Sequence, residues 1–230
     1  MAITFAEQPV RLARDTGMYS AGRGAVLYPD DLLASGAGTV LIAAGGATVA
    51  LGPRSAIFIG QDELVLLAGW LKVNGRAAQT LLLTTAGLQF DSAGVTATLH
   101  ATPGATELFA ESAGVRVLAL PADATAQRTS LPREHFGVRS GAQPLKVAAR
   151  PTAAFLAAMP RTFLDPLVPV AARSPAAPRR ERAATFTELA PLLAGQPALR
   201  RQFQARLAPP RPPRPPRAAV QPASSSSNLF

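Results

Sequence analysis

The side chains able to do chemistry are few and scattered. His100 and His135 are the only histidines and cysteine is absent, so thiolate metal sites and disulfides are excluded by composition. A histidine metal site needs a close pair such as His-x-His with further ligands converging on it. His100 ends an alternating stretch and His135 sits in a loop beside Glu134, which is not that pattern. Ser35, Ser55 and Ser130 lack the Gly-x-Ser-x-Gly setting of a nucleophile elbow. The acidic pairs Asp30-Asp31 and Asp62-Glu63 stand in turn sequences, where carboxylates hydrogen-bond the local backbone; a two-carboxylate hydrolase needs them facing one cleft. Gly22-Arg23-Gly24 is too short for a phosphate loop and opens no helical pattern. Trp70, the lone tryptophan, is surrounded by Leu66, Leu67 and Leu71 and reads as a core anchor, the alternative being an exposed platform for a sugar or peptide. These residues point to no catalytic constellation, metal or cofactor, and the chain reads as a non-enzyme.

Charge is the stronger signal. Residues 1–140 hold ten Lys+Arg against eleven Asp+Glu, a net of −1, whereas residues 141–230 hold thirteen against three, a net of +10. Such asymmetry marks an arm that meets an anionic partner, or else a solvated flank. The candidate partner-binding residues are Arg179, Arg180, Arg182, Arg200, Arg201 and Arg206. Their partner would be an envelope or extracellular protein, an anionic glycan or a lipid surface. The alternative is a cytoplasmic basic protein whose Arg/Pro tail binds nucleic acid, and a third reading is a structural matrix protein whose exposed β-edges assemble into fibres. No aromatics interleave with the tail arginines for base stacking, so that attachment would be electrostatic and steeply salt-dependent.

The elements that must position these residues are short strands. Apolar residues make up 48% of the 230 and aromatics only 6%, which predicts an aliphatic core of Leu, Val and Ile with a few Phe. Runs of three or four mostly apolar residues at 40–42, 48–51, 56–59, 64–67 and 70–73 are separated by Gly, Pro or charged breaks, the pattern of a strand meander. Gly45-Gly46 suits a tight hairpin, and Asn74-Gly75 is the strongest two-residue turn signal in the chain. Further strands are expected at 3–5, 10–12, 25–28, 32–33, 81–85, 88–90, 95–100, 107–110 and 115–120, and a last hairpin at 135–139 and 144–147 through Ser140-Gly141. Val95, Ala97 and Leu99 should share one face. Residues 15–24 and 121–133 read as loops.

Beyond residue 150 the period changes. Phe155, Leu156, Met159 and Phe163 are spaced for an amphipathic helix interrupted at Pro160. Residues 173–182 read as a basic linker, and Thr185-x-x-Glu188 as a capping box ahead of Leu189, Leu192 and Leu193. Pro197 opens a helix striped by Leu199, Phe203 and Leu207. The default is a helical hairpin packed on the β-domain. The Pro-Pro-Arg triplets and the Ser run that follow favour polyproline II and disorder. The expected division is therefore a β-domain over 1–150, a basic helical extension over 151–208 and a disordered tail over 209–230. The fold class is all-β, a sandwich or jelly-roll-like β-roll of about a dozen short strands.

Residues 26–33 with Pro29-Asp30, the Gly-Gly hairpin, Val-Ala-Leu-Gly-Pro at 49–53, Leu-Val-Leu-Leu-Ala-Gly-Trp-Leu-Lys-Val at 64–73 and residues 107–117 resemble, in order and spacing, the FecR domain family. The resemblance covers roughly residues 3–147. Gly45-Gly46 replaces the usual Asp-Gly turn, and Ser92-Ala93-Gly94-Val95 stands where many members carry Gly-Thr-x-Phe. The resemblance implies a β-sandwich module, mostly periplasmic or secreted, of the kind best known in bacterial transducers that carry a signal to an anti-sigma segment. No window approaches the roughly 20 apolar residues of a membrane span, so the likeness is to stand-alone FecR-domain proteins with a C-terminal helical extension. Residues 1–15 lack a charged n-region and an apolar h-region. The expected location is periplasmic or extracellular, as a mature chain whose export signal has been removed, with the cytoplasm as the alternative.

Overall fold

Short aliphatic runs can bury a face only by folding back on one another, and the computed structural model shows them doing so. It describes residues 1–78, 80–120, 128–171 and 174–209. Its strands are β1 (Ala2–Ala6), β2 (Val10–Arg14), β3 (Gly17–Ala21), β4 (Leu32–Ala34), β5 (Val40–Ala44), β6 (Ala47–Leu51), β7 (Ala56–Ile59), β8 (Glu63–Gly75), β9 (Leu82–Thr84), β10 (Leu88–Asp91), β11 (Thr96–Ala101), β12 (Ala105–Ala110), β13 (Val115–Ala119), β14 (Arg128–Leu131), β15 (Phe136–Ser140), β16 (Lys146–Ala148) and β17 (Arg179–Ala183). The helices are α1 (Ala153–Ala158), a 3-10 turn (Arg161–Phe163), α2 (Phe186–Leu189) and α3 (Pro197–Arg206).

Two sheets face each other. The first runs β1–β5–β6–β8–β11–β12–β15–β16, and the second β17–β3–β2–β4–β7–β8–β9–β10–β13–β14. All pairings are antiparallel except β8–β9. Between the sheets lies the main core, where Phe90 is the sole aromatic among the fully buried members and Ile, Leu, Val and Ala supply the rest. Val95, Ala97 and Leu99 all belong to it. The expected all-β sandwich with a small helical extension is the architecture found.

β8 belongs to both sheets. Leu64 and Leu66 point into the core from the second sheet, and Leu71 and Val73 from the first. Keeping both pairs inward needs one extra residue, because strand side chains alternate. It is supplied by a bulge opposite Ala56 and Ile57 and by Gly69 at φ +84°. A Cβ on Gly69 would collide with the Ser55 hydroxyl and lie 2.7 Å from Ser55 Cα. The break expected at Gly69 is therefore a kink inside one strand rather than a turn between two.

Several expectations change with the ladder in view. Gly45-Gly46, at φ +52° and +87°, forms the expected hairpin turn. Asn74-Gly75 forms none: both residues pair with β6 as Thr48 to Asn74 and Ala47 to Gly75. Gly75 is required because a Cβ there would run into the Ser92 carbonyl, 2.7 Å from its carbon. Residues 25–28 make only an isolated bridge, Val26 to Ala2. β3 lies in the expected loop at 15–24, and β14 in the expected loop at 121–133, of which residues 121–127 lie outside the described part.

The C-terminal extension wraps the sandwich. Phe155, Met159, Phe163 and Leu167 pack with Ala50, Trp70 and Phe136 on the outer face of the first sheet. The chain then joins the second sheet as β17, where a linker was expected, and α2, the turn after it and α3 cover that sheet's outer face through Leu189, Leu193 and Phe203 against Met18, Leu32, Phe58 and Val65. Thr185 is the N-cap of α2 by position but makes no side-chain cap bond, and Glu188, the expected reciprocal partner, pairs instead with Arg182. Pro197 opens α3 as expected. The expected disordered tail from residue 209 falls, from residue 210 on, outside the described residues.

Candidate partner-binding surface

β17 is an arginine-rich flange. Arg179 lies opposite Ser20, Arg180 opposite Tyr19, Arg182 opposite Met18 and Ala183 opposite Gly17, with a bulge between Arg180 and Arg182. The ladder extends at both ends, through Ala176 N–H to the Gly24 carbonyl (3.0 Å) and Ala184 N–H to the Thr16 carbonyl (2.9 Å). All five residues of β17 are exposed, and among the described residues β3 is the one strand that pairs with it. Arg182 donates from Nη1 and Nη2 to the Glu188 carboxylate at 2.9 and 2.5 Å. That bond holds Glu188 below the usual carboxylate range against the opposing effect of burial, and raises Arg182. Arg179 donates to Glu181 at 3.1 Å. Arg180 makes no ion pair among the described residues.

The other three candidates stand on α3 and differ among themselves. Arg201 is exposed. The Arg200 guanidinium lies 5.7 Å from the Phe186 ring centroid, a surface cation–π contact. Arg206 is turned toward the β-domain, 4.0 Å from the Phe203 ring centroid and donating to the Asp30 carbonyl at 3.3 Å. The structure thus gathers Arg179, Arg180 and Arg182 on one edge and uses Arg206 largely to dock the helix. It also adds Arg11. Ser20 is the register partner of both Arg11 and Arg179, so the three form a row across one face, and Arg11 and Glu188 line a notch of about 110 Å³. The exposed Arg11 in an otherwise buried stretch of β2 was the available signal.

The remaining candidates are tied into the scaffold. Ser35 Oγ donates to the Gly52 carbonyl at 2.6 Å. Ser55 Oγ accepts the Trp70 N–H at 2.7 Å, and Ser130 is an exposed residue of β14. Asp31, 1% exposed, takes two bonds from Arg14 at 2.8 and 2.6 Å and one from the Tyr28 N–H at 2.8 Å. Arg14 is raised by that bond above all. Asp30 accepts from Gln202 of α3 at 2.9 Å. Asp62 receives the Leu82 N–H at its carbonyl, and Glu63 opens β8. Arg23 donates at 3.1 Å to the Ala171 carbonyl, at the end of the strap that residues 153–171 lay over the first sheet through Phe155, Met159, Phe163 and Leu167. His135 Nδ1 bonds the carbonyl of Arg133, two residues away. Among the described residues no group of three or more His, Cys, Asp or Glu could hold a metal.

Trp70 is buried, as expected, but beneath the strap and not between the sheets. Its ring stacks on His100 at 4.0 Å and 11°, and meets Phe155 at 5.0 Å; His100 Nδ1 shares a 2.8 Å hydrogen bond with Glu107. Beside it lies Lys72, only 2% exposed. Its ammonium donates to the carbonyls of Phe163 (2.5 Å) and Asp165 (3.2 Å) and pairs with Glu111 at 2.9 Å. Glu111 is itself held by the Thr98 hydroxyl at 2.6 Å. A lysine has three protons to place, and here each has an acceptor. Sequence reasoning missed this site; its trace is a lysine that shares a strand face with Trp70, two residues away.

No family model matches this chain, and no curated protein matches it. Among solved structures, a crystal structure of a candidate anti-sigma factor from Parabacteroides distasonis at 1.65 Å resolution is similar, with a TM-score of 0.42 and 9% identity over 51% of this chain and 58% of that one. A second structure with the same description, at 2.50 Å, gives 0.35 and 9% over 61% and 60%. This chain therefore spans about three fifths of the length of those proteins.

Proposed function

We propose that this chain is a non-enzymatic, partner-binding module of the bacterial envelope or exterior, a FecR-type sandwich serving as the rigid platform and the basic C-terminal extension as the contact surface. The observation that carries the reading is the flange: three arginines on an exposed edge strand that buries no side chain, in the half of the chain that carries the positive charge. An exposed strand that fills no core is available to be a contact. The motif order of residues 3–147 supports the family assignment and, through it, the location and a role in signalling.

The test uses surface variants, because removing residues 151–230 would uncover the apolar outer faces of both sheets and bring hydrophobic capture of its own. Wild-type chain and a variant with Arg179, Arg180, Arg182, Arg200 and Arg201 all changed to Glu are used as bait against an envelope extract. The wild type should recover partners that the variant loses; equal recovery would count against the contact surface. Fractionation of the host checks location, and a precursor found only in the cytosol would defeat that part.

The net charge of residues 141–230 favours one alternative, attachment to nucleic acid. It requires salt-dependent binding to any duplex that disappears when the tail arginines Arg211, Arg214 and Arg217 are changed to Glu.

A further inference from the structure

We propose that β17 is a docking edge for an acidic segment of a partner protein, which adds to the second sheet as an extended strand alongside it. The proposal rests on the partner-binding reading above and names the kind of partner. β17 has every side chain exposed, so burial does not explain its being a strand. Ladder bonds to β3 hold one edge. Among the described residues β17 pairs with β3 alone, leaving on its other edge backbone donors and acceptors of the kind that strand addition uses.

The charges select the occupant. Arginines at 179, 180 and 182 flank the bulge, and Arg11 carries the positive row across the face. Like charges directly opposite each other in a ladder repel and opposite charges attract. Each copy of β17 carries three arginines against one glutamate, so two copies repel and pairing between them is opposed. Charge and a bulge are how edge strands resist unwanted pairing, and here that resistance has one exception, a strand carrying Asp or Glu. The partners already in place, Glu181 and Glu188, form ion pairs at the surface, weak enough to exchange for incoming carboxylates.

The test is a fluorescence-anisotropy titration of the full chain with a labelled peptide of about ten residues in which Glu alternates with Val. Parallel arms use the same peptide N-methylated on alternate backbone nitrogens, in either frame, and a short DNA duplex, each at about 50 and 200 mM salt. The Glu–Val peptide should bind, one methylated frame should weaken it by about tenfold or more, and R179A/R180A/R182A should weaken it by about tenfold. R116A/R128A, on β13 and β14 at the opposite end of the second sheet, should leave it within about twofold. The triple variant removes no buried side chain, and a Tm within about 4 °C of wild type verifies its fold. Equal binding in both methylated frames would mean charge attraction without a ladder and overturn the proposal. So would DNA bound as tightly as the peptide and lost in the same variant. Absence of peptide binding, with envelope partners still recovered, would overturn strand addition and leave the partner-binding reading standing; an empty recovery as well would remove both.

Discussion

On the outer face of the first sheet the covering segment closes around Lys72, buried with its ammonium on Glu111 and on two carbonyls of the strap. On the second sheet α2 and α3 close through Phe203, Leu189 and Leu193, with Phe58 and Phe203 in an edge-to-face contact at 6.1 Å and the Arg182–Glu188 pair at the periphery. Apolar contact is nearly indifferent to small slides, since any well-filled arrangement buries similar area. An ammonium whose acceptors include carbonyls at 163 and 165 and a carboxylate at 111 is satisfied in one register only, and missing it strands a charge in low dielectric. The interior between the sheets is aliphatic, while the aromatic side chains Trp70, Phe136, Phe155, Phe163, Phe58 and Phe203 gather under the two covers. Large flat side chains suit a seam where a late segment lies across a finished sheet, because each buries much area from few positions.

The sharpest way to break the comparison is to empty each seam in turn. Phe203→Ala should cost about 3–5 kcal/mol, as a fully buried phenylalanine leaves a cavity. Hydrogen exchange should show α2 and α3 opening while residues 153–167 keep their protection. Glu111→Ala should cost about 3 kcal/mol by urea unfolding, the lower end for a broken buried pair because two carbonyls still receive the Lys72 protons. The double variant Lys72→Met/Glu111→Leu, in which both charges leave together, should lie within about 1 kcal/mol of wild type or above it, yet residues 161–167 should exchange faster, since register is lost while burial is kept. If the double variant and Glu111→Ala behaved alike, the charge would contribute fit and not register, and the contrast between the seams would vanish.

How far each part was legible follows from what holds it. Inner-face strands were readable because burial writes aliphatic alternation into them, as in Val95, Ala97 and Leu99. β17 and β14 were not: β17 buries nothing and β14 only Leu131, so backbone bonds hold them and leave no apolar pattern. β3 was hidden by Gly17 and Ser20, although Asp15 at φ +52° closes a two-residue turn before it. The arginines of the flange were visible as composition; their placement on an edge was not, because no local signal distinguishes a charged linker from a charged edge strand. Gly75 misled for a definable reason: its missing Cβ serves close approach to Ser92 and not a turn. Gly75→Ala should cost about 1–3 kcal/mol through overpacking. As a lesion in the sandwich itself it should loosen both covers together, unlike the two seam variants.

The smallest effect concerns the periphery of the second cover, where Arg182 joins β17 to α2. The bond from Arg182 keeps the Glu188 carboxyl below its ordinary value, so the folded chain releases that proton more readily than the unfolded one. The stability this adds is fully present above the ordinary carboxylate value of about 4.3 and is lost as pH falls from there through the depressed folded value. With the Arg182 side chain 52% and the Glu188 side chain 23% exposed, solvent screens the pair and the contribution should stay under about 1 kcal/mol. Below about pH 4.3, exchange in α2 of the wild type should rise toward that of Glu188→Gln, whose own exchange carries no such step, and about 1 M salt should shrink the gap between them at neutral pH. A gap unchanged by salt would mean that Glu188 acts through its fit in the notch beside Arg11 rather than through charge. The periphery of the second cover would then depend on shape, as its centre does, and the flange arginines would be held in place independently of their partners.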